Sequence, residues 1–289
     1  MSRIMLVDGM SLLFRGYYAT AGYGRIRKTK EGLPTNAVHW LVKYLWHTIQ
    51  TFQPTHLVCC WDTPAPTFRN KMYSEYKTGR PAPPEALIPQ FQLAQNVIES
   101  MGILNISYEG YEADDLIGTL AKKYAIDIDV DILSGDHDTL QLIDHRIRVI
   151  IMAKGFGRYN VYTKEKFEEE KGFSPEQLID LKALMGDQSD HYPGVRGIGE
   201  KTAQKLIREY GSVDEILKNK EDLSMRIRSN IEKDIDMLLL SRKLARIDCG
   251  VPINIHLMES ELRFEHSKMK KTFERLEFRS LLDAMMPSS

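Results

Sequence analysis

Three short apolar runs in the first half of the chain each lead into an aspartate. Residues 3–7 run into Asp8-Gly9, residues 56–61 into Asp62, and residues 129–133 into Ser134-Gly135-Asp136. A fourth run, 103–108, is followed by Glu112, Asp114 and Asp115, and a fifth spans 146–152. Between them lie helical patterns. Residues 36–50 place Ala37, Trp40, Leu41, Tyr44, Leu45 and Thr48 near 3.6 spacing, and 87–101 and 113–124 also read as helices. Alternation of strand and helix predicts an α/β fold, a mostly parallel, Rossmann-like central sheet flanked by helices. Ligands of such sheets gather at the carboxyl ends of the strands. That is the edge where the acids fall. After about residue 175 the strands stop, and 175–185, 200–210, 213–217 and 233–245 read as helices. We therefore expect an α/β core over 1–175 and a helical region over 176–289.

Nine carboxylates would meet near that edge: Asp8, Asp62, Glu112, Asp114, Asp115, Asp136, Asp138, Asp187 and Asp190. Glu112 and Asp115 are three apart and share a helix face. Asp136 and Asp138 are two apart and point the same way in extended chain. Left uncompensated, such a cluster repels itself and destabilises the fold. Hard divalent cations resolve the conflict. Magnesium takes carboxylate oxygens and water, and two ions about 3.5–4 Å apart clamp both oxygens of a phosphoryl displacement. Taken singly, each acid has a plainer reading. Glu112 or Asp114 could be an N-cap, Asp138 could cap the next helix, and Asp187 and Asp190 could be turn residues ahead of Pro193. Those readings do not explain why so many acids share one edge of one sheet.

The formal charge of −1 looks wrong for a nucleic-acid partner, but it hides two populations. With the nine acids set aside, the remaining chain carries a net +8, which suits a phosphodiester. Residues 64–89 hold six of the twelve prolines, with Arg69, Lys71, Lys77 and Arg80 between Phe68, Tyr73 and Tyr76. Loops of more than about 12–15 residues are usually functional or disordered. The basic and aromatic mixture predicts a partly ordered segment facing nucleic acid through Arg69, Lys71 and Tyr76. Further on, Gly194, Gly197 and Gly199 open a helix carrying Lys201, Thr202 and Lys205. Glycines let backbone amides approach phosphate at a helix N-terminus, so the contact expected is to backbone and not to bases. The Gly-Lys-Ser/Thr ending of a nucleotide-binding P-loop is missing. A tight turn in a helical hairpin is the plainer alternative. Cys59, Cys60 and Cys249 show no CxxC spacing and read as reduced thiols. There is no apolar stretch of roughly 18 residues and no signal-peptide core, so a cytoplasmic location and no membrane partner are expected.

Together these motifs resemble the 5′–3′ exonuclease and flap endonuclease family, nearest to the N-terminal nuclease domain of bacterial DNA polymerase I and its stand-alone homologues. The resemblance rests on Val7-Asp8-Gly9, Trp61-Asp62, Phe68-Arg69 with Tyr76-Lys77-Thr78-Gly79-Arg80, Glu112-Ala113-Asp114-Asp115, Gly135-Asp136-His137-Asp138, and Gly186-Asp187 through Lys201. It implies two Mg2+ ions, with Mn2+ able to substitute. Asp8, Asp62, Glu112, Asp114 and Asp115 correspond to one group of ligands, and Asp136, Asp138, Asp187 and Asp190 to the other. Residues 64–89 correspond to an arch over the site, Lys77 and Arg80 to basic residues at the reacting phosphate, and Phe14 to an aromatic that stacks on a base near the cut. Residues 184–210 correspond to a helix-three-turn-helix that grips duplex backbone. It would hold a K+ ion through the carbonyls of Leu184, Met185, Pro193, Val195 and Ile198. One departure is His191-Tyr192, where relatives often carry Asn and an aliphatic residue.

The activity implied is structure-specific hydrolysis of 5′-flap or branched DNA by a two-metal mechanism, in replication and repair such as RNA primer removal. Asp8, Asp136, Lys77 and Arg80 would be at the reacting centre. The expected partner is DNA with 5′ flaps, nicks or junctions, and the expected state is a monomer in a bacterial, nucleoid-associated cytoplasm. With no polymerase region after Ser289, the chain reads as a free-standing nuclease or a fragment of something longer. The rivals are a PIN-like ribonuclease, which would not need the arch or the glycine turn, and a non-catalytic protein that binds branched DNA.

Overall fold

A computed structural model describes residues 2–22 and 26–286. Its centre is a six-stranded sheet of β1 (Arg3–Asp8), β2 (His56–Cys60), β3 (Leu104–Ile106), β4 (Asp129–Ser134), β5 (Ile147–Met152) and β6 (Tyr159–Tyr162), in the order β3-β2-β1-β4-β5-β6. The first five strands are parallel, and β6 runs antiparallel to β5. Helices in the first half are α1 (Gly9–Ala21), α2 (Asn36–Phe52), α3 (Phe68–Met72), α4 (Ile88–Ser100), α5 (Ala113–Tyr124) and α6 (Lys164–Lys171). The second half holds α7 (Gln177–Met185), the two-residue strands β7 (Gly186–Asp187) and β8 (Tyr192–Pro193), α8 (Glu200–Tyr210), α9 (Val213–Lys218), α10 (Met225–Lys233), α11 (Ile235–Ala245), α12 (His266–Arg275) and α13 (Arg279–Met285).

The sheet is covered on both faces, and β1 shows how. Ile4 and Leu6 join one buried cluster with Val58 and Cys60 of β2 and Leu116, Ile117 and Leu120 of α5. Met5 and Val7 join a second, with Leu57, Cys59 and side chains of α1, α2 and α4. Burying one such side chain contributes about 1.5–3 kcal/mol. A one-residue slip would exchange the two faces, so the packing fixes register. The helices α7 to α11 extend the first cluster, and α12 and α13 close the second with Met269, Phe273, Phe278 and Leu281.

The mostly parallel sheet and the helical second half agree with the sequence reading. Several elements escaped it: α1, α3, β6 and α6, the short strands β7 and β8, and α10, α12 and α13. Helix α1 contains Gly9 and Gly16, poor helix formers, so periodicity is weak there. A methyl group on Gly9 would meet the Trp61 ring at 2.7 Å, so only glycine lets α1 start directly behind Asp8. Strand β6 is four residues, three half-buried and Asn160 exposed, too short for an alternation to show. Helix α6 buries Phe167 alone.

Candidate active site

The strand ends deliver the acids as the alternation predicts. Asp8 is the last residue of β1, and its Oδ1 also caps α1 by accepting from the Ser11 amide at 2.9 Å. Its other oxygen accepts from the Ser134 hydroxyl at 2.8 Å, tying β1 to β4. Asp62 lies two residues past β2 and accepts from the Ala113 amide at 2.7 Å, where α5 begins. Asp136 lies two past β4 and caps a short 3-10 helix, accepting from the Asp138 amide at 2.9 Å. A cleft of about 870 Å³ opens at this edge, faced by Asp8, Asp62, Glu112, Asp114, Asp136 and Asp138, with Phe14 on one wall and Lys77, Arg80 and Lys182 on the others.

Asp187 and Asp190 do not line the cleft themselves but pair with Lys182 and Arg80, which do. Three further expected site residues are turned inward. Asp115 is fully buried and faces away from the cleft. It holds Arg69 in two parallel 2.8 Å bonds and accepts from the backbone amides of Glu112 and Asp248. Glu112 and Asp115 do meet on one side, both reaching Arg69 Nη1, at 3.3 and 2.8 Å, but only Glu112 also reaches the cleft, where it takes Lys77. Arg69, read as a nucleic-acid contact, is 2% exposed, and it spends its remaining donors on the Leu244 and Arg246 carbonyls. Tyr76 is equally buried. Its hydroxyl is 3.2 Å from Glu112 and 2.9 Å from Asp190. The physical reason is the same in each case. A charge or phenol next to so many carboxylates finds its partner inside the protein before it finds a ligand.

The proline-rich segment is correspondingly docked, with its basic residues turned to the acids. Lys77 Nζ is 2.7 Å from Glu112. Arg80 is half exposed and pairs with Asp190 at 2.5 Å. The Lys77 amide donates to the Asp190 carbonyl at 2.8 Å, and Thr78 Oγ1 meets His191 Nδ1 at 2.6 Å. Lys77 and His191 both adopt left-handed backbone, φ 57° and 56°, a conformation that costs roughly 1–2 kcal/mol without glycine. Lys71 is exposed.

Lys182 was not anticipated. Its amine pairs with Asp138 and, at 2.6 Å, with Asp187. Asp187 also anchors its own loop by accepting from the Ser189 amide at 2.7 Å and the Asp190 amide at 3.1 Å. The available signal was the five-residue gap from Lys182 to Asp187 across a helix end, which only the turn at Gly186 folds back into contact. Among the described residues no three His, Cys, Asp or Glu side chains already converge on one ion-sized point. The chain's own cations engage four of the acids, Lys77 on Glu112, Lys182 on Asp138 and Asp187, and Arg80 on Asp190.

The electrostatics show that these cations do not satisfy the site. Burial pushes the Asp8 carboxyl up to about 7, with Asp62 and Asp136 adding repulsion against the hydrogen bonds from Ser11 and Ser134. Burial also raises Asp114 well above the carboxylate range, with Asp8 and Asp136 reinforcing it. Asp138 rises to about 6 through burial and Asp136, despite Lys182. For Asp187, burial is outweighed by bonds from Lys182 and Ser189, which bring it down to about 2. A buried, mutually repelling set of oxygen donors facing open space is the donor chemistry that Mg2+ or Mn2+ requires.

On the helical side, Gly194 is explained by packing, because a methyl group there would collide with the backbone of Leu184 and Gly186. Gly197 takes a left-handed turn, φ 78°, and Gly199 is open to solvent at the start of α8. Lys201 and Lys205 are exposed on one face of α8, with Thr202 half buried between them. The carbonyls of Leu184, Val195 and Pro193 already accept from Val195, Ile198 and Ser241 respectively. Each carbonyl has a second lone pair.

The sequence patterns of two known domains together cover most of the chain. The 5′-3′ exonuclease N-terminal resolvase-like domain matches residues 3–172, and the 5′-3′ exonuclease C-terminal SAM fold matches 173–270. The chain belongs to the 5′-3′ exonuclease family. The 5′-3′ exonuclease of Bacillus subtilis is 49% identical over 259 residues, 90% of this chain and 88% of that protein. DNA polymerase I of Lactococcus lactis is 38% identical over 266 residues, which is 91% of this exonuclease-family chain but 30% of the polymerase. In fold, the chain is similar to a bacteriophage T5 flap endonuclease solved as a pseudo-enzyme-product complex with DNA and metal ions. The TM-score is 0.70 at 21% identity, covering 95% of this chain and 99% of that one. The exonuclease is thus a nuclease by family.

Proposed function

We propose that this exonuclease is a structure-specific 5′ nuclease that hydrolyses a phosphodiester close to the junction of 5′-flap or branched DNA, using two Mg2+ ions. One observation carries the reading: six carboxylates face a single cleft at the carboxyl edge of the sheet, with Lys77, Arg80 and Lys182 on its walls. Asp8, Asp62, Glu112 and Asp114 would hold one ion, and Asp136, Asp138, Asp187 and Asp190 the other. Bound there, the cations supply Lewis-acid polarisation and a nucleophile at neutral pH.

The chain's own groups supply the rest. Lys77 stays protonated, because attraction to Glu112 and Asp190 outweighs its burial. With Arg80 it neutralises charge that develops on the phosphoryl oxygens. Phe14, on the cleft wall, stacks a base beside the cut and fixes which phosphodiester reaches the acids. The amides around Gly197 and Gly199, with Lys201, Thr202 and Lys205, grip duplex phosphates. That contact positions without reading sequence. The Leu184, Met185, Pro193, Val195 and Ile198 carbonyls would hold a K+ ion at that turn. The docked segment 64–89 must lift or part for a single strand to pass. We further propose that the protein acts as a monomer, on flaps left at replication and repair sites. A 5′-labelled flap, cut near the junction with Mg2+ and left intact with chelator, tests the reading. Equal cutting of an RNA flap of the same shape would favour a ribonuclease.

A further inference from the structure

Tyr192 is 3% exposed, yet its hydroxyl has no hydrogen-bond partner. Unpaired buried hydroxyls are uncommon in folded proteins, and each one calls for an explanation. Three observations say where this one belongs. First, Tyr192 pairs directly with Asp187 in the antiparallel β7–β8 ladder. Residues opposite one another in such a pair project to the same face. Second, its ring stacks on Tyr76, with centroids 6.4 Å apart and planes 19° apart. The Tyr76 hydroxyl alongside reaches Asp190 and Glu112. Third, the Asp187 carboxylate opposite Tyr192 shares the Lys182 amine with Asp138. The hydroxyl is therefore set beside this group of acids with no partner to donate to.

We propose that Tyr192 is a positioning residue for the second divalent cation, its hydroxyl donating to the Asp187 carboxylate directly or through one ordered water. The proposal rests on the assignment of Asp138, Asp187 and Asp190 as ligands of that cation. In the structure the Lys182 amine takes both Asp138 and Asp187, and the phenol has no partner. A cation that takes over those carboxylates frees oxygens from Lys182 and brings its own waters. Either one is the partner that the phenol lacks. Groups that orient a ligand's outer oxygen typically change metal affinity 10- to 100-fold. The plain alternative is a tyrosine kept for its ring, packed beside Tyr76, Ile179 and Leu244.

Tyr192→Phe keeps that ring and removes the hydroxyl. Calorimetric Mn2+ titrations of the full chain, parent and variant, without DNA, read the effect apart from catalysis. We expect the first ion to bind both proteins equally and the second to bind the variant about tenfold more weakly. In chelator the variant should melt no lower than the parent, because an unpaired buried group is gone. Two ions binding parent and variant identically would overturn the role of Tyr192 alone. A parent that binds fewer than two ions would instead overturn the metal assignment, and this proposal with it.

Discussion

Arg69 and Asp115 meet in two parallel 2.8 Å bonds, with both side chains sealed from solvent. This pair joins the proline-rich segment to α5 directly behind Glu112, which Arg69 also reaches at 3.3 Å. Removing one partner leaves an uncompensated buried charge, which costs about 3–5 kcal/mol. Asp115→Asn should therefore lower stability by about that amount, read by urea denaturation, while the number of Mn2+ ions bound stays the same. An Asn variant of full stability that had lost an ion would return Asp115 to the ligands.

Lys182 pairs with Asp138 and Asp187, two of the acids proposed to hold the second ion. Lys182→Met should bind Mn2+ more tightly, by about tenfold for each 1.4 kcal/mol of competition removed. The Asp187 carboxyl should titrate above its depressed value of about 2, since Lys182 supplies the leading favourable bond. Weaker Mn2+ binding by the Met variant would show that Lys182 assists the ion and does not stand in for it.

What was legible in the sequence was the edge and not the wiring behind it. Asp8, Asp62 and Asp136 end apolar runs, so their place followed from strand direction alone. Asp115 and Arg69 carry the same charges as the residues that face the cleft, and only three-dimensional neighbours such as Leu244, 175 residues away from Arg69 in sequence, turn them inward. Lys182 was invisible for a related reason, because its position in α7 says nothing about which acids the turn at Gly186 brings back to it. Gly194 matched a phosphate-binding expectation and turned out to be needed for a backbone crossing.

Lys77 sits 2.7 Å from Glu112 and faces the cleft. Lys77→Ala should slow single-turnover cleavage by about 10²–10³-fold, the range seen when one charge-stabilising donor is removed, with little change in DNA affinity. A loss confined to affinity would move Lys77 away from the reacting phosphate.

Away from the cleft, His39 is half buried against Phe278, and its ring is held down to about 4 by burial, with Arg27 and Lys43 opposing its charge. The unfolded chain takes up this proton near the ordinary value of 6.5 and the folded chain does not. Its contribution is therefore full above about pH 6.5 and is lost as the pH falls toward 4. His39→Leu should flatten that part of the profile, seen as a smaller drop in urea midpoint from pH 7 to pH 5 than in the parent. Parallel profiles for the two proteins would show that His39 titrates normally.

The cleft acids as an ion-dependent phosphodiesterase centre are tested most directly by one comparison. Parent and Asp136→Asn are given a 5′-labelled DNA flap in Mg2+ and, separately, in chelator, with binding measured alongside. The parent should cut near the junction only in Mg2+, and Asp136→Asn should bind the flap but leave it whole. Cutting by Asp136→Asn at the parent rate, or by the parent in chelator, would contradict the account.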